Sequence, residues 1–171
     1  MKDLKTKERI IKNAKKLFAK NGFEGTSMKM IADSVDINKS SLYYFFKNKE
    51  NIYVTIVSDI IDKVTEIFSN TTESLENKLL KLFKISSSSG PVIFSTNKMT
   101  RDGCNRMKVK SLILSDSIIN YLKQKKLRVD PEDAMHIILD ITQKYARNIA
   151  EKRPTLESAH YANLLAKLLK K

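Results

Sequence analysis

Glycine and proline are scarce, with four and three among 171 residues. So few turn signals leave little room for strands joined by hairpins, and long helices are expected. The one cysteine, Cys104, excludes an internal disulfide framework. The longest unbroken apolar run, Leu42–Phe46, falls far short of the roughly 20 residues of a membrane-spanning helix. Residues 1–9 contain no apolar stretch of the kind that opens a secretory signal, so a cytoplasmic chain with no membrane partner is expected. There is no glycine-rich phosphate loop, no GxSxG and no clustered set of acids. An enzymatic reading has no residue to rest on, and no cofactor is expected. Acidic residues are also in deficit, 19 against 32 basic, for a formal net charge of +13.

That imbalance points to a polyanionic partner, with nucleic acid ahead of a membrane surface. Lysine supplies 26 of the 32 cations, a bias that an AT-rich genome alone also produces. Residues 1–50 hold twelve basic and six acidic residues, against twenty and thirteen in 51–171. The excess is therefore denser at the start but present throughout. With 42% apolar and 30% charged residues, the chain has the composition of a folded domain, or of a small domain fused to a larger one.

Apolar spacing predicts the helices. Ile10, Ile11, Ala14, Leu17 and Phe18 form a stripe from Lys5 to Asn21, which Gly22 stops in the left-handed position after a helix. Thr26 and Ser27 are hydroxyl caps for a short second helix through Met28, Ile31 and Ala32. After a turn at Asp36-Ile37, Asn38 caps a third helix from Lys39 to about Phe46. Asn48 caps a fourth, running through Ile52, Ile56, Ile60 and Val64 to about Phe68. Ser69–Thr72 is a break, and Leu75 to Phe83 read as helix. Ser86–Pro91 reads as a loop and Asp102-Gly103 as a turn. Met107–Leu127 reads as helix with an interruption near Ser115. Asp130-Pro131-Glu132-Asp133 is a strong helix start, with an Asp cap, proline in the first turn and acids beside it. A last helix carries Leu156 through Leu169. The fold class is all-α: a three-helix helix-turn-helix unit over residues 1–47, then a helical domain over 48–171.

The third helix, about 13 Å long, fits a major groove about 12 Å wide. Leu42 and Phe46, four apart, face inward, whereas Lys39, Ser40, Ser41, Tyr43 and Tyr44 are left on the opposite face. Two adjacent tyrosines beside lysines suit DNA, since a phenol can hydrogen-bond phosphate while its ring meets thymine methyls. The stretch Arg9-Ile10-Ile11, Ala14, Leu17-Phe18, Gly22-Phe23, Thr26-Ser27, Ile31-Ala32 and Ile37 through Glu50 resembles the TetR family of repressors. Its core is Leu42-Tyr43-x-x-Phe46 followed by Lys49-Glu50. The resemblance covers Thr6 to about Val57. It implies base-edge contacts from Lys39, Ser40, Ser41 and Tyr44, with Lys29 in support. It implies phosphate contacts from Thr26, Ser27, Tyr43 and Lys49, with Asn38 and Lys47 completing the DNA-binding set. Asp36 and Ser40 stand where members commonly carry glycine, and Phe45 where many carry His or Tyr.

The resemblance further implies that 48–171 is a helical regulatory and dimerisation domain, and that the protein is a homodimer on a double-stranded DNA operator, released by a small apolar or aromatic inducer. Candidate pocket residues are Phe83, Phe94, Met99, Met107, Tyr121 and His136, each of which core packing explains as well. The broad stripes of the last two helices suggest an antiparallel pair that a second copy covers as a four-helix bundle. Its interface would use Ile141, Tyr145, Ile149, Tyr161, Leu164, Leu165 and Leu168. The other functional reading is a TetR-like helical dimer acting on a partner protein without an inducer. Cys104, near Arg101, Arg106 and Lys108, reads as structural or incidental. His136 and Asp140 lack a third ligand in register, so no metal site is expected.

Overall fold

The computed structural model describes residues 2–93 and 100–171. Among the described residues the chain forms eight helices and no strand, with one isolated bridge between Leu127 and Lys170. The helices are α1 (Lys2–Asn21), α2 (Met28–Ser34), α3 (Lys39–Phe45), α4 (Lys49–Ser69), α5 (Leu75–Ile93), α6 (Arg101–Leu122), α7 (Pro131–Ala150) and α8 (Ser158–Leu169).

The helix boundaries follow from local chemistry. Gly22 ends α1 at φ 73°, its N–H donating to Phe18 O at 3.0 Å. Ser27, Asn38, Asn48 and Asp130 each accept a backbone N–H in the first turn of the helix they precede. Asp36 turns the chain between α2 and α3 at φ 55°, a left-handed conformation that Asp tolerates better than most residues.

Two apolar clusters hold the helices together. The first gathers Ile10, Ala14 and Phe18 of α1 with Ile31, Leu42 and Phe46. It also takes Ile52, Tyr53, Ile56 and Ile60 from α4 and Val92 from α5. The second joins Val64 and Phe68 of α4 to Leu79, Phe83, Ile118, Tyr121, Ile138, Tyr145, Leu165 and their neighbours. One unbroken helix, α4, thus serves both clusters. α6 lies along α4, and α5 is the element on which both α7 and α8 pack.

Two sequence expectations are corrected. Ser86–Pro91 is not a loop but part of α5. Its serines, which normally compete with helical backbone, turn their hydroxyls back: Ser86 onto Leu82 O at 2.8 Å, Ser87 onto Lys84 O at 2.9 Å, Ser88 onto Ile85 O at 3.0 Å. Asp102-Gly103 is no turn either. It lies in the first turn of α6, capped by Thr100 through Gly103 N at 3.3 Å, and α6 continues past Ser115 without a break. α7 and α8 both rest on α5. They are also in direct contact, the Tyr145 hydroxyl lying 3.0 Å from Ser158 Oγ and the Tyr145 and Tyr161 ring centroids 5.0 Å apart.

A buried lysine secures the far end of α4. Lys78 is wholly buried, and its ammonium donates to Ile67 O, one of the carbonyls left open at the helix C-terminus. It stands 4.6 Å from the Tyr121 ring centroid and 5.8 Å from that of Phe68, so two aromatic faces offset its lost hydration. Burial holds its pKa below the ordinary lysine value. The Tyr121 hydroxyl donates to Glu73 O at 2.8 Å, and burial pushes its pKa up to about 12. Because the folded pKa lies above the unfolded one near 10, this phenol favours folding fully below pH 10 and loses that contribution between about pH 10 and 12. In denaturant titrations, Tyr121→Phe should cost about 1 kcal/mol at pH 8 through the lost hydrogen bond. The gap to wild type should narrow above pH 10; a gap that stays constant to pH 12 would show the phenol to be unperturbed.

Candidate nucleic-acid interface

The helix that presents the candidate DNA face is only seven residues long, too short to be stable alone. It is held by its ends and by one side. Asn38 Oδ1 accepts from Ser41 N at 2.7 Å and from Ser40 Oγ at 2.9 Å. Phe46 N–H donates to Leu42 O at 3.0 Å at the other end. Leu42 is fully buried against α1 and α2, and Arg9 reaches from α1 to Val35 O at 2.8 Å, tying the first helix to the turn.

The outer face of α3 is open. Tyr44 is 78% exposed and Tyr43 45%. Lys39 Nζ lies 5.8 Å from the Tyr43 ring, and Tyr44 packs edge-on against Phe45 at 5.2 Å. Lys29, Lys39, Ser40 and Lys47 are exposed, and Ser41 is partly so. No acid lies in the first turn of α3. The structure therefore brings Lys39, Ser40, Ser41, Tyr43 and Tyr44 onto one surface. Ser27 is exposed at the start of α2, its Oγ accepting from Met30 N at 3.1 Å.

Two residues of the expected DNA-binding set face elsewhere. Thr26 is not a cap of α2; it is buried, with its hydroxyl donating to Gly22 O at 2.8 Å. With its hydroxyl so engaged and its side chain buried, it offers nothing to phosphate. Lys49 is half-buried, donates to Phe23 O at 2.6 Å and lies 4.3 Å from the Phe23 ring. It stitches α4 to the loop after α1 and is not a free cation. One contributor escaped the sequence reading. Lys7 of α1 is exposed and stands 5.7 Å from the Phe46 ring, which brings a cation to the end of α3. The two are far apart in sequence, so no spacing rule could signal this contact.

Of the described candidate pocket residues, Phe83 and Tyr121 are buried in the second core, whereas Met107 and His136 are not. Phe83 lies in the second core between Tyr145 and Tyr161, and Tyr121 sits beside Phe68. Met107 is partly exposed on α6. His136 is exposed on α7, so it lines no interior space. Phe94 and Met99 lie outside the described residues. Of the candidate interface residues, Tyr145 and Leu165 are buried within the chain itself, so they brace the surface from beneath. Ile141, Tyr161, Leu164 and Leu168 line an apolar groove of about 230 Å³ between α7 and α8, together with Lys144. Leu164 and Leu168 are 57% and 55% exposed there. Ile149 borders a separate, more open cleft near Thr155.

A capped recognition-type helix, set by a tight turn against two others and joined to a helical body, defines a helix-turn-helix transcription regulator. Residues 10–56 match the model of bacterial regulatory proteins of the tetR family. The helix-turn-helix of this chain is therefore of the tetR-family type. The chain is 28% identical to the biofilm operon icaADBC negative transcriptional regulator IcaR of Staphylococcus epidermidis, over 78% of each chain. Its fold is similar to that of GusR from Salmonella enterica, with TM-score 0.75, 22% identity and coverage of 99% of this chain and 97% of that one. It is similar also to the fold of FadR from Bacillus subtilis in complex with stearoyl-CoA, with TM-score 0.74, 15% identity and coverage of 94% and 96%.

Proposed function

We propose that the protein is a repressor that binds a near-palindromic DNA operator as a homodimer and leaves it when a small apolar or aromatic molecule binds. The observation that carries the DNA part is the outer face of α3. Two exposed tyrosines and Lys39 project from a capped helix that has no acid in its first turn. Two adjacent exposed aromatics form an apolar patch of the kind that marks an interaction site, and DNA supplies both phosphate and apolar base edges. Ser27 at the start of α2 and Lys47 after α3 are the phosphate contacts of this reading, with Tyr43; Lys39, Ser40, Ser41 and Tyr44 meet bases. Repression is the sense in which the IcaR relative is named. On an operator selected from random duplexes, Tyr44→Ala or Lys39→Ala should change base preference by about 1–3 kcal/mol at one position. Lys47→Ala should weaken all sequences alike and flatten the log–log salt slope by about one. Unaltered affinity and preference in all three variants would remove α3 from the DNA interface.

The dimer is supported by the groove between α7 and α8. Leu164 and Leu168 expose apolar surface beside the half-buried Ile141 and Tyr161, an arrangement that a two-fold partner covers with the same residues. A helical bundle formed this way sets two α3 helices on one side of the duplex, about one helical turn apart. Leu164→Asp with Leu168→Asp should sediment as a folded monomer at micromolar concentration and lose operator affinity. A wild type that is itself monomeric there, while binding its operator tightly, contradicts the dimer.

The inducer rests on likeness: a structural neighbour is solved with stearoyl-CoA bound. Fatty acyl-CoA esters of graded chain length, titrated into the protein–operator complex, should release DNA at a defined chain length. No release across this series and a matched panel of planar aromatics speaks for the reading without an inducer.

A further inference from the structure

The last two turns of α5 join three parts of the molecule. Ser89 is buried, and its Oγ accepts from Lys15 Nζ of α1 at 3.1 Å. Gly90, the next residue, touches the backbone of α7: a Cβ there would lie 2.5 Å from Ala146 O and 3.1 Å from Ala146 Cα. Val92 is buried in the first core, and its carbonyl accepts from the Tyr53 hydroxyl at 3.1 Å. Within four residues α5 therefore grips α7 by backbone contact, α1 by a charged hydrogen bond and α4 through its last turn.

The three grips differ in what they can transmit. Side chains can repack when helices slide, but two backbones in contact cannot, so a shift of α7 at Ala146 must carry α5 with it. Val92 anchors α5 to the first core by apolar packing, which tolerates small rotations. The Lys15–Ser89 bond is directional, and Lys15 is partly desolvated, with burial and then Lys63 lowering its pKa. A hydrogen bond to a charged, partly buried group is worth more than a neutral one and is lost over a small displacement. A further polar tie near the N-terminal unit, Thr100 N–H onto Glu50 Oε1 at 2.6 Å, lies on the exposed surface.

We infer that Lys15 and Ser89 are positioning residues for DNA binding: with the Gly90–Ala146 contact they fix the attitude of the helix-turn-helix unit on the body, and so the spacing between the two recognition helices of a dimer. This rests on the dimeric DNA-binding reading above. Neither side chain belongs to the candidate DNA face, and the Ser89 hydroxyl is buried away from it.

The test uses the full-length protein and its selected palindromic operator, with duplexes in which one base pair is inserted between or removed from the half-sites, and a duplex carrying one half-site. Wild type should bind the original spacing best. Lys15→Met and Ser89→Ala should each reduce the penalty for altered spacing by about threefold or more. The double variant should be no more permissive than either single one, because the two share one interaction. Lys15→Arg, which keeps a charged donor, should restore the wild-type discrimination. Single half-site affinity should remain within about twofold. Gly90→Ala, if it folds, should shift the preferred spacing itself. Wild-type discrimination in both Lys15→Met and Ser89→Ala overturns the inference and leaves the DNA-binding reading intact. Equal loss on every duplex, with a matching fall in melting temperature, also overturns it, by making the bond merely structural. A wild type that selects no palindrome overturns the DNA-binding reading and the inference with it.

Discussion

The N-terminal helix-turn-helix cannot close its own core. α1, α2 and α3 supply one wall each, and the remaining side is filled by Ile52, Tyr53, Ile56 and Ile60 of α4 and by Val92 of α5. A fully buried side chain of this size contributes about 1.5–3 kcal/mol, and a small domain has only about 5–15 kcal/mol of net stability. Taking α4 away would therefore remove stabilisation comparable to the whole. The DNA-facing unit and the body are halves of one folded object that share a helix, and the orientation of one is tied to the packing of the other.

That sharing explains the polar fixtures found along α4. Lys78, its ammonium beside two aromatic rings, donates to Ile67 O in the last turn of α4, and Lys49 holds the helix start to Phe23 O. Both are lysines in a strongly basic chain, and sequence alone would set both among the solvated cations. They differ from the rest in being desolvated at a helix end, where an ammonium meets a carbonyl or an aromatic face. The excess positive charge is thus not all one thing. Part of it is surface field, and part is internal stitching.

The legible parts of the sequence were those governed by local rules. Caps at Ser27, Asn38, Asn48 and Asp130, the left-handed Gly22 and Asp36, and the stripes of α1, α4 and α7 all depend on residues within one or two turns of each other. The outward face of α3 was readable for the same reason. What misled was chemistry whose partner lies elsewhere. The serine–glycine run reads as a linker until α7 supplies a backbone for Gly90 to touch and α1 a lysine for Ser89. Thr26 looks like a second cap until the fold buries it and turns its hydroxyl back onto Gly22 O.

The seven residues of α3 divide their labour unevenly. Leu42 is the one buried position, Phe45 is partly covered, and the helix is fixed at its ends by Asn38 and by the Phe46 amide. Lys39, Ser40, Tyr43 and Tyr44 carry little of the folding energy. Their identities can drift without cost to the fold, as long as the cap and the buried leucine stay. On the DNA-binding reading proposed for α3, a lineage built on this scaffold could acquire new target sequences by exchanging a few surface side chains, each step passing through a folded protein.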